Sequence, residues 1–349
     1  MRADPVSSID KRSSPTLSLC MIVKDEEYFL ARCLEAVRDH VDEIIIVDTG
    51  STDNTRSIAA NFSDKIYDFE WVDDFSAARN YSLEQATGDW ILVLDADELI
   101  AELDLLRIRE TINNANDDAY FLIQYNYNND PLVKDWVPVT EQSQYSAGYR
   151  GYRRNPIGRL FRAACNIHFQ GAVHEIIDHS LAGLRVSTLE IPIHHHMDDN
   201  PAKRKKDRQL NYLRMISKAL KHKPDGRLAA SAGTVCMYVT DDYPEAVRYF
   251  RQAVDLDYDV DQNLENLAEA HYRQEQFTDA RAIYLKLYKS GYASFSLYTN
   301  LANLLVRGGD YREAIKLLEG ALSLGPADPE VVHRLEHNIR FLQGKLDAF

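Results

Sequence analysis

The chain has 349 residues and carries 54 acidic against 40 basic side chains, a net charge of −14 that argues against nonspecific nucleic-acid binding. Its length accommodates two hydrophobic cores, while no stretch approaches the roughly 20 apolar residues that span a bilayer. Cys20, Cys33, Cys165 and Cys236 lack C-x-x-C spacing, so neither a cysteine zinc site nor a disulfide framework is indicated, which fits a reducing cytoplasm.

Residues 1–15 are polar, lack the apolar centre of a signal peptide and are expected to form a flexible tail. Leu17 to Val23 then reads as a buried strand leading through Lys24-Asp25-Glu26-Glu27 into a helix. Asp42 to Asp48 repeats the design. Thr49-Gly50-Ser51-Thr52-Asp53 supplies a glycine turn and capping groups before a short helix near 54–61. A strand near 65–71, a helix from about Phe75 to Ala86 and the apolar run Trp90 to Leu94 follow, and this alternation predicts a mostly parallel sheet with helices on its faces.

Asp95-Ala96-Asp97 closes the last of these runs. Open α/β sheets bind ligands at the carboxyl ends of their strands, so this triplet is either a solvated turn or a pair of carboxylates holding a divalent cation against a phosphorylated ligand. Successive strand residues face opposite sides, so convergence of Asp95 and Asp97 requires a turn beginning at Ala96.

The segments V-K-D-E-E, V-D-T-G-S-T-D, D-D-F-S-A-A-R-N and A-T-G-D-W-I-L-V-L-D-A-D-E occur in this order between Leu17 and Leu99. In that order they resemble family 2 glycosyltransferases of GT-A fold. Gly158-Arg159-Leu160-Phe161-Arg162, with Phe169-Gln170-Gly171-Ala172-Val173-His174-Glu175, resembles a subgroup containing lipopolysaccharide-core glucosyltransferases and bacteriocin peptide S-glycosyltransferases. The resemblance implies an inverting transfer from a nucleotide-sugar, a UDP-sugar above all, with Mn²⁺ or Mg²⁺ neutralising the leaving diphosphate. It implies Asp97 as a direct metal ligand and Asp95 nearer the ribose or a bound water. It implies His196 as a further ligand, in register with Asn200-Pro201, whereas His194 and His195 are read as a strand end. Glu175 stands where the subgroup replaces the acidic base motif of the family; the base is Glu175 or its neighbour His174, or the two are structural. Asp48 is carried over as a contact to the base, and Glu26 or Glu27 as a residue near the nucleoside. Arg79 is read either as a nucleotide contact or as an internal partner of Asp95.

Between Tyr120 and Arg154 the pattern is irregular and rich in Tyr and Asn, fitting a sugar-stacking surface or an ordinary strand face. From Gly148 to Arg208 eleven basic residues stand against six acidic ones, either a solvated face or a cationic rim for a diphosphate, an anionic acceptor or a membrane surface.

In the last third, Tyr243, Phe277 and Tyr311 recur at 34 residues, as do Ala246, Ala280 and Ala314. This is the tetratricopeptide period, and it predicts about three stacked helix pairs from Arg227 onward, each triplet opening a second helix. Such repeats serve as a buttress, a homo-oligomer surface or a cradle for a peptide or protein partner.

The organisation expected is a tail over 1–15, an α/β GT-A domain over 16–200, a connecting helix over 201–226 and all-α repeats over 227–349. The activity expected is a metal-dependent glycosyltransferase acting on a peptide or protein. The alternatives are a lipopolysaccharide or cell-envelope glycan acceptor, and a noncatalytic repeat scaffold.

Overall fold

The computed structural model describes residues 14–131, 133, 135–195, 202–325 and 329–347, with the side chains of 202–205 left aside. Contacts divide the chain into two compact units.

The first unit contains residues up to Asn126 together with 155–171 and 175–196. Strands β1 (Leu17–Val23), β2 (Glu43–Asp48), β3 (Ile66–Asp68) and β4 (Trp90–Val93) form its parallel half, in the spatial order β3-β2-β1-β4. β1, β2 and β4 are the apolar runs of the sequence and are buried along nearly their whole length, as strands covered on both faces must be, whereas β3 is a short, partly exposed strand. Helix α1 (Leu30–Val37) turns Leu30, Cys33, Leu34 and Val37 inward, an i, i+3, i+4, i+7 stripe. Helix α2 (Thr55–Ala59) is a single turn and a half, and α3 (Phe75–Glu84) starts at Asp74, whose carboxylate accepts from Ala77 N.

Beyond β4 the chain makes a turn at Ala96-Asp97, the two-residue strand β5 (Glu98–Leu99) and helix α4 (Glu102–Asn113). Strands β6 (Ala119–Asn128), β7 (Trp136–Pro138), β8 (Gly151–Arg162) and β9 (Val186–His195) complete a mixed sheet ordered β3-β2-β1-β4-β8-β6-β9-β5, with β7 paired to β8. β8 lies antiparallel to β4, β9 parallel to β6, and β5 antiparallel to β9. The irregular Tyr/Asn-rich stretch therefore contains regular strand. Tyr127 is buried against Tyr149 and Tyr152, ring centroids 5.9 and 5.6 Å away, which is strand-face packing.

The second unit holds residues 127–154, 172–174 and 197–349. After α5 (Ala202–His222) come the pairs α6 (Gly226–Tyr238) with α7 (Tyr243–Asp255), α8 (Val260–Arg273) with α9 (Phe277–Lys289), and α10 (Phe295–Arg307) with α11 (Tyr311–Ser323), then α12 (Pro329–Leu346). Each residue of the Tyr243, Phe277, Tyr311 set opens the second helix of a pair. Ala246, Ala280 and Ala314 are fully buried, and so are Phe250 and Tyr284, because a methyl group at the crossing lets the paired backbones approach while the aromatic ring fills the space beside it. No helix among the described residues is long and apolar enough to cross a membrane.

Candidate active site

The loops at the carboxyl ends of β1 and β2 are fastened to each other through side chains. Asp25 accepts from Thr52 N at 2.7 Å and gives its own N–H to Ser51 Oγ, while Glu27 accepts from Asn54 N and Nδ2. Asp48 is buried at the end of β2, where its Oδ1 accepts from Gly50 N (3.1 Å) and Ser51 N (2.8 Å) and its Oδ2 lies 3.8 Å from Arg56. Gly50, at φ +102°, supplies the left-handed conformation that this turn needs. Glu26 places its N–H on Thr55 Oγ1 at 2.7 Å, and its carbonyl starts α1 by accepting from Leu30 N. The Asp48 carboxylate and the Glu26 backbone thus help fix the loops that follow β2 and β1.

The turn after β4 brings the D-x-D carboxylates out of strand alternation. Glu98 N donates to Asp95 O at 3.1 Å, closing a four-residue turn around Ala96 and Asp97. Asp95 lies between two guanidinium groups: Arg79 Nη2 is 2.7 Å from Oδ1 and Arg159 Nη2 is 2.9 Å from Oδ2. Burial alone would raise this carboxyl, but Arg79 and Arg159 outweigh it and hold it well below the usual carboxylate range. Arg79 is itself buried and turns its Nε to Glu175 Oε1. Burial disfavours its charge, and Asp95 and Glu175 more than offset that.

Glu175 reaches this position because Asn80, beside Arg79 on α3, clasps Phe169: Asn80 Nδ2 donates to Phe169 O at 3.0 Å and Phe169 N donates to Asn80 Oδ1 at 2.7 Å. Gly158 of β8 permits Ile177 to seat nearby, since a Cβ at 158 would stand 2.5 Å from Ile177 Cδ1. His174 belongs to the second unit, where its Nε2 lies 2.6 Å from Ser231 Oγ and its φ is +55°.

Asp97 has no arginine partner among the described residues, and its Oδ2 faces His195 Nε2 at 3.3 Å. Burial opposes a charge on His195, but Asp97 outweighs it and raises the imidazole above its ordinary value. Behind them Glu98 is fully buried, accepting from Asp95 N (2.9 Å), Gln124 Nε2 (2.6 Å) and Arg159 Nη2 (3.3 Å). Burial pushes its carboxyl up, against the opposing pull of Arg159.

The structure therefore joins Arg79, Asp95 and Glu175 in one ion-paired chain and sets Asp97 beside His195. His196 lies outside the described residues. Among the described residues no three His, Cys, Asp or Glu side chains are grouped to hold a metal ion. A carboxylate matched by two guanidiniums, like Asp95, has little charge left for a cation but can still accept a hydroxyl proton. Asp97 and His195, a carboxylate beside an imidazole, are the described residues that would hold a hard cation. Sequence reasoning did not assign Arg159, Asn80, Glu98, Gln124 or His195. Arg159 and Glu98 stood inside quoted motifs, and a charged residue within an apolar strand pattern is the signal that would have marked them.

Residues 18–177 match the family model for glycosyl transferase family 2, and residues 238–294 and 295–335 match two tetratricopeptide repeat models. A TPR repeat-containing protein of Synechococcus elongatus is 41% identical over 169 residues, 48% of this chain and 37% of that protein. The SPbeta prophage-derived glycosyltransferase SunS of Bacillus subtilis is 27% identical over 304 residues, 85% of this chain and 64% of SunS. The chain thus spans less than two thirds of the length of either relative. Among solved structures, that of S. aureus TarS in complex with UDP-GlcNAc aligns over 79% of this chain and 92% of its own, at 14% identity and a TM-score of 0.43. The α/β unit of this chain carries a family 2 glycosyltransferase domain, and tetratricopeptide repeats follow it.

Proposed function

We propose that the chain is an inverting glycosyltransferase that moves a sugar from a nucleotide diphosphate, a UDP-sugar first among them, to a peptide or protein acceptor. The observation that carries this reading is the division of labour among carboxylates: Asp95 is neutralised by Arg79 and Arg159, Asp97 faces His195 with no guanidinium beside it among the described residues, and Glu175 shares Arg79 with Asp95. A divalent cation, Mn²⁺ or Mg²⁺, held at Asp97 would neutralise charge on the departing diphosphate. Asp95 then receives a ribose hydroxyl, with Asp48 and Glu26 walling the nucleoside.

Glu175 Oε1 is occupied by Arg79 Nε, so Oε2 is the atom that takes the acceptor proton. The acceptor oxygen or sulfur forms its bond to the anomeric carbon as the bond to the diphosphate oxygen breaks, and the nucleotide leaves with that electron pair. A peptide acceptor is supported by the subgroup resemblance and by the helical repeats, whose stacked pairs form surfaces suited to extended chains.

The test is thermal unfolding of wild type and Asp97→Ala with UDP, GDP and CMP, each with and without Mn²⁺, because a ligand that binds only the native state stabilises it. The expected result is a rise in Tm for one nucleotide that requires Mn²⁺ and disappears in the variant. No shift with any nucleotide favours a noncatalytic scaffold or a donor outside these three classes. With the donor known, a sugar mass on a co-expressed peptide supports a peptide acceptor, and incorporation only into envelope glycan rejects it.

A further inference from the structure

On the face of the sheet behind Asp97, polar side chains replace the apolar ones that such a position would otherwise hold. Gln124 and Asn126 are two residues apart on β6 and so share a face; His195 is the β9 partner of Asn126, and Glu98 is the β5 partner of His195. Four side chains from three strands are thereby linked. His195 Nδ1 lies 2.7 Å from Asn126 Oδ1, Asn126 Nδ2 lies 3.1 Å from Gln124 Oε1, and Gln124 Nε2 lies 2.6 Å from Glu98 Oε1.

The direction of this chain is fixed at its buried end. Glu98 receives Asp95 N on Oε2 and Arg159 Nη2 on Oε1, so both of its oxygens act as acceptors. As a carboxylate, Glu98 also accepts from Gln124 Nε2, which turns the Gln124 carbonyl to Asn126. Asn126 in turn gives its NH₂ to Gln124 and presents its carbonyl to His195. An amide carbonyl only accepts, so Nδ1 of His195 carries a proton; the Asp97 carboxylate also only accepts, so Nε2 donates to it until a cation takes the place of that proton, and Nε2 is the nitrogen a cation would reach.

We propose that Glu98, Gln124 and Asn126 are positioning residues that hold His195 as the Nδ1–H imidazole, so that His195 Nε2 and Asp97 together present the protein donor atoms for a divalent cation. The proposal rests on the metal-dependent transfer proposed above and identifies the imidazole concerned as His195. Outer hydrogen bonds of this kind orient metal-binding histidines, and removing them weakens metal affinity about 10–100-fold. Alternation along β9 places neighbouring histidines on opposite faces, so this chain can serve His195 and not His194.

The experiment uses the full chain labelled with ¹⁵N-histidine, the His195 signals being assigned by their loss in His195→Gln. Long-range ¹H–¹⁵N spectra report which ring nitrogen is protonated, and electron paramagnetic resonance of free Mn²⁺ in the presence of UDP reports cation affinity. Circular dichroism and thermal unfolding verify that each variant is folded. We expect Nδ1–H at His195 in wild type, loss of that signature with at least tenfold weaker Mn²⁺ binding in Asn126→Leu and Gln124→Met, and retention of both in Asn126→Asp, which keeps an acceptor for Nδ1. Unchanged tautomer in Asn126→Leu, with Mn²⁺ binding intact, overturns the positioning chain alone. Wild-type Mn²⁺ affinity in His195→Ala overturns His195 as a donor, and wild type that binds no Mn²⁺ overturns the metal reading itself.

Discussion

Asp95 and Glu175 are held by the same guanidinium: Arg79 donates through Nη2 to the first and through Nε to the second. The nucleotide side and the proton-accepting side of the proposed reaction therefore have a common counter-ion, buried in the first unit.

Removing that counter-ion takes the Arg79 guanidinium from Glu175 and leaves Asp95 with Arg159 alone. Arg79→Met is expected to lower unfolding stability by about 3–5 kcal/mol, the scale for breaking a buried ion pair. Arg79→Lys can serve one carboxylate but lacks the planar fork, so it should fall between. Urea unfolding of the three proteins checks the order, and equal stability of wild type and Arg79→Met would show that the pairing contributes nothing.

Glu175→Gln keeps the hydrogen bond from Arg79 but cannot take a proton. Single-turnover transfer should fall by about 10²–10⁴, while the UDP-induced rise in Tm stays close to that of wild type. His174→Ala, which loses the 2.6 Å contact with Ser231 and the ring packing on Tyr212, should retain most of its transfer rate. A reversed ranking of the two variants would make His174 the base.

Glu43 makes part of the stability dependent on acid. Burial opposes its ionisation, but hydrogen bonds from Lys65, Ser18 and Thr87 outweigh burial and bring its pKa down to about 2 from the ordinary 4.5. A carboxyl depressed in the folded state stabilises above its unfolded pKa, and that contribution is lost as pH falls toward the folded value. Wild type should therefore exceed Glu43→Gln by about 2–3 kcal/mol at pH 7, and the gap should close between pH 5 and 2. Urea unfolding across this range measures it; a constant gap would assign the effect to packing.

In the repeats, Ala280 is fully buried in the core formed with Tyr284 and Leu301. Ala280→Leu adds three carbons where no space exists, and a loss of about 1–3 kcal/mol is expected by circular dichroism-monitored unfolding. An unchanged midpoint would mean that the paired helices are free to separate.

The parallel half of the sheet was legible because β1, β2 and β4 are continuous apolar runs bounded by polar turns, and the repeats because Tyr243, Phe277 and Tyr311 recur at a fixed period. The turn needed at Ala96 followed from strand alternation alone. The partners of Asp95 were less accessible: Arg79 was one of two readings, and Arg159 arrives through β8, whose pairing to β4 is antiparallel and distant in sequence. His195 was read as part of a strand end, because selecting among three consecutive histidines requires the register of β9 against β5 and β6, and a strand of two residues such as β5 has no periodic signature.

The paired bonds between Asn80 and Phe169 imitate a rung of a ladder, with one side chain substituting for a neighbouring strand. One residue earlier on the same helix, Arg79 grips Asp95 and Glu175. Helix α3 is thus a shared carriage for both ends of the proposed chemistry: if it slides or tilts, the anchor of the Glu175 loop and the counter-ion of Asp95 travel together.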